Sequence, residues 1–319
     1  MRILGTGGAL PSNEVGNGAF SALADTSDEW IVSRTGIRSR RISSGDTALS
    51  LARSASERAI ASAGIRREDI SLVVCASVTG ETLTPSLACL LQRDLGLRED
   101  NILAFDINAA CTGFIYALGL AREFLRPGGY ALLVGSEVLS RVTDFTDRST
   151  CVLFGDGAGA VAAEASDGEF HFVSGARGDG ESLVIGSIPP APNPFSAARA
   201  SPPPPLIRMN GQEVFRFAVE SMTKSILCVT ERAGLAPGDI HHFVCHQANR
   251  RIIESAARRL GAPPERFFMN IERRGNTSAA SVPLALDELN ASGRLLRGER
   301  VVLSGFGGGL TYGAVYMIW

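Results

Sequence analysis

The sequence predicts an α/β fold made of two similar halves, and three observations predict it. Short Val/Leu-rich runs alternate with helix-period segments, two long stretches share one plan at a fixed offset, and a Pro-rich stretch separates the copies. In the first copy, Ala63-Gly64-Ile65 ends a helix on a glycine, and Ile70 to Cys75 follows as an apolar run of strand length. In the second, Ala233-Gly234-Leu235 and Ile240 to Cys245 repeat that plan 170 residues later, as Cys75 and Cys245 mark. The same offset pairs Leu132 to Gly135 with Val302 to Gly305, and Ala109-Ala110-Cys111 with Ala279-Ala280-Ser281. Three matches at one offset point to a duplication, in which Ser281 stands where the first copy has Cys111. The expected halves are residues 1–165 and 205–319, each with a buried central sheet flanked by helices, joined by a connection over 166–204. The stretch 188–205, with Pro189-Pro190 and Pro202 to Pro205, cannot be a regular helix or central strand, because proline lacks the backbone N–H.

Composition sets the bounds. The 319 residues are 45% hydrophobic and 20% charged, enough for an ample core. A net charge of −2 gives no bulk electrostatic case for nucleic acid or membrane binding. The N-terminus reaches glycine and proline too soon for a signal-peptide core, and no apolar run approaches the roughly 18 residues of a membrane span. The six cysteines form no Cys-x-x-Cys pair and no spaced Cys/His set, so neither a disulfide framework nor a metal site is expected, and a reducing, cytoplasmic setting is.

The residues that can carry chemistry lie at the ends of the predicted elements. Cys111 sits where a strand from Ile102 to Ile107 gives way to a helix from Phe114 to Leu125. A thiol at a helix N-terminus meets free N–H groups and the positive end of the macrodipole, which favour the nucleophilic thiolate. A buried structural cysteine is the competing reading. His246 follows the predicted strand His242 to Cys245, and a helix from about Arg250 to Leu260 comes next, a position where α/β sheets tend to place their sites. Asn276 lies in a glycine turn before a small-residue helix start, where a plain N-cap is the alternative. Gly307-Gly308-Gly309 forms a loop whose backbone N–H groups can approach a ligand. Phe154 to Ala160 has the spacing of a weak phosphate loop, for which close backbone packing is the better reading. Arg250, Arg251, Arg258 and Arg259 line one helix, and Arg251 and Arg258 share a face.

These motifs, together with Asp25 to Ile37 and Thr146-Asp147-Arg148, resemble β-ketoacyl-acyl-carrier-protein synthase III nearly end to end. The resemblance implies a thiolase-like fold, two pseudo-symmetric α/β halves in a layered αβαβα architecture. It implies a homodimer that starts fatty acid synthesis and needs no cofactor: Cys111 takes the acyl group of an acyl-CoA, and malonyl-acyl carrier protein then condenses with it after decarboxylation. His246 and Asn276 would hold the malonyl thioester oxygen, and the N–H groups of Cys111 and Gly308 the oxyanion of the acyl carbonyl. Trp30 and Arg148 would sandwich the CoA adenine. Thr26, Arg34, Gly211 and Asn249 would line the pantetheine and phosphate path. Arg250, Arg251, Arg258 and Arg259 would meet the acidic carrier protein.

One position departs from the family pattern. Many members carry Phe before the proline of Leu83-Thr84-Pro85, where it closes the end of the dimer partner's acyl pocket; Thr84 is small, which implies a deeper pocket and longer primers. Three other functions compete. A thiolase-fold acyltransferase would move the acyl group to an oxygen or nitrogen acceptor without decarboxylation. A Cys-His-Asn hydrolase would share the chain order of the three residues. A catalytically silent binding subunit would not need all three.

Overall fold

The computed structural model describes residues 1–186 and 205–319, so most of the Pro-rich stretch lies outside the described residues. The first sheet runs in the order Arg2–Ala9, Gly157–Glu164, Tyr130–Glu137, Ile70–Ala76, Leu103–Ile107, and its last three strands are mutually parallel. The second runs His242–Cys245, Arg300–Gly307, Thr311–Ile318, Phe170–Ala176, with only the first pair parallel. It repeats the first sheet without a full fifth strand, whose place is held by a single parallel bridge between Phe243 and Phe267. Phe170–Ala176 was expected within the connection, but it pairs along Thr311–Ile318 and belongs to the second sheet.

Strand periodicity sorts the side chains into layers. Leu72 and Val74 point inward, and Val73 and Cys75 outward, as a period of two requires. The inward set meets Val301 and Leu303 of the second sheet around two helices, Gly113–Phe124 and Ser281–Ala291, in one shared core. Outside, Ala48–Ala63 and Leu87–Asp94 cover the first sheet, and Gly211–Arg232 and Arg250–Leu260 cover the second. The result is five layers, αβαβα.

The two halves meet through their central strands. A Cβ on Gly135 would collide with the Ala279 carbonyl oxygen of the opposite half, and one on Gly305 would lie 3.4 Å from the Cys111 carbonyl oxygen. These contacts are reciprocal, and they pair Cys111 with Ala279. The backbone agrees: each turn, Ala110–Thr112 and Ser278–Ala280, opens on a residue of positive φ, Ala110 at 45° and Ser278 at 48°. The expected pairing of Cys111 with Ser281 is therefore corrected. The strands repeat at one offset and the turns at another two residues shorter, and the Ala-Ala pairs aligned by coincidence. Ser281 instead opens its helix, as Gly113 does in the first half.

Because Gly135 is closed by backbone, which cannot give way as a flexible side chain can, Gly135→Ala is expected to lower the unfolding free energy by about 1–3 kcal/mol. Gly238→Ala, whose added Cβ meets nothing within 4 Å, should stay within about 1 kcal/mol of the parent. Urea unfolding of the two variants checks the contrast.

Candidate active site

Cys111 occupies the turn that runs straight into the helix Gly113–Phe124, as its sequence context predicts. Its ionisation differs from the expectation. Burial pushes the thiol up to about 12, against the opposing hydrogen bonds from Ser278 and from its own backbone N–H. A helix end contributes about 0.3–2 kcal/mol to an anion, which is not enough to offset full burial. Cys111 therefore rests as a thiol, and any reaction through its sulfur must release a proton.

Cys111 lines a cavity of about 1060 Å³, whose wall includes Ser278, Gly308, Phe154, Leu139 and Leu183. Gly307 brings this wall close: a Cβ there would lie 2.7 Å from the Cys111 nitrogen. Apart from the Cys111 sulfur beside its own N–H, neither the Cys111 N–H nor the Gly308 N–H has a hydrogen-bond acceptor among the described residues. Amides left unpaired are uncommon, so the buried Cys111 N–H and the half-buried Gly308 N–H leave room for an acceptor beside the thiol.

His246 and Asn276 are not on the wall of this cavity, though Asn276 bonds to two residues that are. His246 packs edge-on against Phe306, the residue before Gly307, with centroids 5.1 Å apart. Asn276 accepts the Ser278 N–H on Oδ1 at 2.9 Å, and its backbone bridges to Phe154. That bond fixes the amide so that Nδ2 is the free end, with no partner among the described residues. His246 Nδ1 lies 3.1 Å from Ser281 Oγ, which accepts the Gln247 N–H at 2.7 Å. The Ser281 hydroxyl has no other acceptor among the described residues, so it donates to Nδ1, and the imidazole proton is assigned to Nε2. Burial lowers the His246 pKa to about 3, so the ring is neutral at physiological pH and offers N–H without charge. Ser281, read from the sequence as the nucleophile's counterpart, is the residue that sets this tautomer.

The other expected contacts divide. Arg148 lies with its guanidinium carbon 5.2 Å from the Trp30 ring centroid and donates to the Asp25 carbonyl at 2.8 Å. The two residues are neighbours, but an adenine between them needs about 3.5 Å on each side, so Arg148 has to swing outward to admit one. The Thr26 hydroxyl is buried without a partner, an open polar contact on the same surface. Asn249 is otherwise engaged: Oδ1 caps the helix Arg250–Leu260 through the Arg251 N–H at 2.9 Å, and Nδ2 donates to the Arg34 carbonyl at 3.0 Å. The N-cap position thus holds its side chain in place, with the second Nδ2–H left over. Gly211 opens the helix Gly211–Arg232. Arg258 and Arg259 line a groove of about 600 Å³ with Phe215 and Arg216, and Arg251 lies over the Phe215 ring at 5.6 Å. Arg250 turns away from them to pair with Glu272 at 3.4 Å, and its stem packs under Gly36. Thr84 is exposed and off the cavity wall of its own chain. The glycines of Phe154 to Ala160 serve close packing, since a Cβ on Gly159 would lie 2.6 Å from the Leu284 nitrogen.

Comparison with known proteins decides the family. Residues 105–178 match the model of 3-oxoacyl-[acyl-carrier-protein] synthase III, and residues 230–319 match the model of its C-terminal part. A β-ketoacyl-[acyl-carrier-protein] synthase III of Clostridium acetobutylicum is 46% identical, over 100% of this chain and 98% of its own. This chain belongs to the β-ketoacyl-acyl-carrier-protein synthase III family. The crystal structure of the Aquifex aeolicus 3-oxoacyl-[acyl-carrier-protein] synthase III superposes with a TM-score of 0.90 at 41% identity, covering 100% of this chain and 99% of that one. The priming β-ketosynthase of the R1128 polyketide pathway superposes at 0.89 with 38% identity, covering 99% and 95%. The fold is thus the thiolase-like one and the chain is an acyltransferase of the condensing type, which sets aside the hydrolase with a shared Cys-His-Asn order. Among the described residues, no helix is long and apolar enough to cross a membrane. Sequence reading missed Ser278 and Phe306; a serine and a phenylalanine carry no signal of their own, and only the packing of the two turns reveals them.

The neutral imidazole makes a prediction about pH. The unfolded ring protonates below about 6.5 and the folded ring only near 3. The unfolded state therefore binds more protons between these values, and the stability contributed by His246 is present above 6.5 and lost as pH falls. Wild type should lose stability over this window faster than His246→Gln, by up to about 1.4 kcal/mol per pH unit, in parallel denaturant melts from pH 6.5 to 4.

Proposed function

We propose that this chain joins an acyl-CoA primer to malonyl-acyl carrier protein by decarboxylative Claisen condensation, with Cys111 as nucleophile and His246 and Asn276 as donors to the malonyl thioester oxygen. The observation that carries these roles is the pair of free N–H groups, Cys111 and Gly308, opening beside the thiol into one cavity. In the first step the Cys111 sulfur attacks the thioester carbonyl, the developing oxyanion takes both N–H bonds, and CoA leaves with a proton. In the second, malonyl decarboxylation leaves an enolate whose oxygen is held by the His246 Nε2–H and the Asn276 Nδ2–H. The enolate carbon then attacks the acyl-Cys carbonyl and expels the Cys111 thiolate, which takes a proton from solvent to regenerate the thiol, giving a 3-oxoacyl carrier protein and carbon dioxide. Neutral donors suit this step, because a cation would hold the malonyl carboxylate in the ground state as well.

The partners follow from the surface. Arg251, Arg258 and Arg259 beside the Phe215 groove form the docking face for the acidic carrier protein, and Trp30, Arg148, Thr26 and Arg34 form the CoA entrance. Leu103–Ile107 is an edge strand of the first sheet, with Leu103 52% and Phe124 51% exposed beside it. An apolar sheet edge of this kind needs a cover, and a second copy of the chain supplies one. In that homodimer Thr84 reaches the partner's acyl pocket and leaves it deep. The six free cysteines suit a cytoplasmic setting.

Two measurements test this. Cys111→Ala should form no acyl-enzyme by intact mass, whereas His246→Ala and Asn276→Ala should acylate yet release labelled carbon dioxide from malonyl-carrier protein about 10²–10³-fold more slowly. Loss of acylation alone in the latter two would overturn their role, and acyl-enzyme without carbon dioxide release in the parent would favour transfer to another acceptor. Across a primer series, octanoyl- and dodecanoyl-CoA should rival acetyl-CoA, and Thr84→Phe should abolish use of the long primers; a strict acetyl preference in the parent would refute the deep pocket.

A further inference from the structure

We propose that Glu137, working through the Ser278 hydroxyl, takes up and returns the Cys111 proton during acylation. The inference rests on Cys111 being the nucleophile. Glu137 ends the strand Tyr130–Glu137 and is fully buried, behind the cavity wall rather than on it. Its carboxylate accepts from Thr79 Oγ1 at 2.5 Å, from the Val78 N–H at 3.1 Å and from Ser77 Oγ at 3.3 Å, and no cation pairs with it among the described residues. A buried carboxylate with no counter-ion is expensive to keep, and packing alone does not call for one. Ser278 neighbours both this carboxylate and the Cys111 thiol, and the relay needs its hydroxyl to close hydrogen bonds to each as the acyl group arrives.

The fold forces this line-up. Gly135 and Glu137 share one face of their strand, and Gly135 is pressed against the Ala279 backbone. The turn Ser278–Ala280 thereby lies between the end of that strand and the turn that carries Cys111; a Cβ on Gly113 would come 3.8 Å from the Ala279 Cβ. The left-handed backbone of Ser278, φ 48°, is uncommon for a serine and belongs to a residue held by its surroundings. Ser278 is on the cavity wall with Cys111, and Glu137 is buried off that wall.

Chemistry supplies the need. Cys111 rests protonated, while His246 has Nδ1 taken by Ser281 and, buried, accepts a proton only near pH 3. Burial raises Glu137 to about 7, in the range where a group both takes and gives a proton at physiological pH. The step balances without another reactant. The Cys111 sulfur bonds to the acyl carbon as its proton passes to Ser278 Oγ, and the Ser278 proton passes to the Glu137 carboxylate. The carbonyl π pair moves onto oxygen, then returns as the C–S bond to CoA breaks. The CoA thiolate leaves with the proton handed back from Glu137 through Ser278, so Glu137 is ionised before and after.

The test measures, on the full-length protein, acyl-enzyme formation from octanoyl-CoA by rapid quench and intact mass. It also measures carbon dioxide release from malonyl-carrier protein by enzyme acylated to completion beforehand. Glu137→Gln and Ser278→Ala are each expected to slow acylation on the order of 10²-fold, to leave decarboxylation within about threefold, and to be no slower combined than the slower single variant. Circular-dichroism melts establish folding; if Glu137→Gln does not fold, Ser278→Ala alone decides. Acylation at the parental rate in a folded variant, or a parallel fall in both steps, overturns the relay, the second because it marks a merely structural role. Cys111→Ala in the same assay separates the two readings: an acyl-enzyme there would remove the nucleophile, whereas its absence beside normal acylation in Glu137→Gln would remove only the relay.

Discussion

Each half of this molecule presses the backbone of a central-strand glycine against the turn that carries Cys111, or its counterpart, in the other half. Gly135 meets Ala279, and Gly305 and Gly307 meet Cys111. No side chain intervenes, so these distances are set by backbone and cannot drift with a rotamer. The contact gives the free N–H groups of Cys111 and Gly308 a shared opening, and it holds Ser278 between Cys111 and Glu137. It also over-determines the two left-handed residues, Ala110 and Ser278, whose conformations neither would adopt alone. The site is thus a property of the interface between the halves and does not exist in either.

Burial then decides the electrostatics. Cys111, His246 and Glu137 are each pushed toward the neutral form, and in each case desolvation is the leading cause. A low dielectric makes neutral donors stronger toward charge that appears during reaction, because water does not compete for the oxyanion. The same burial denies the thiol its anionic form at rest. Reactivity therefore depends on moving a proton at the moment of attack, and the groups that can do so must lie within one or two hydrogen bonds.

Much of this was legible from residues alone, for identifiable reasons. The strand His242–Cys245 and the helix Arg250–Leu260 announce themselves by length, apolar spacing and the Gly261 stop, all local properties. Cys111 at a helix start is local as well. What stays hidden is tertiary. The Asn249 amide caps a helix N-terminus and meets the Arg34 carbonyl. Arg250 pairs with Glu272, 22 residues away. Phe170–Ala176 has too few residues to betray which sheet it joins, since pairing with Thr311–Ile318 depends on the distant end of the chain. Ser281 was misplaced because alanines match alanines anywhere, whereas the positive φ that marks the true equivalence leaves no trace in an alanine or a serine.

The corrected equivalence changes what the duplication means. If Ser281 were the counterpart of Cys111, the second half would hold a weakened nucleophile. With Ala279 there, the position equivalent to Cys111 carries only a methyl group, and the residues around it bond locally: Asn276 Oδ1 holds the Ser278 N–H, and Ser281 Oγ meets His246 Nδ1. A symmetric pair of nucleophiles would need two cavities, but the reciprocal glycine contacts leave room for one large opening beside Cys111. One half could therefore give up reaction without giving up shape, because the contact that both halves require is made by backbone and is indifferent to whether the side chain above it is a thiol or a methyl group.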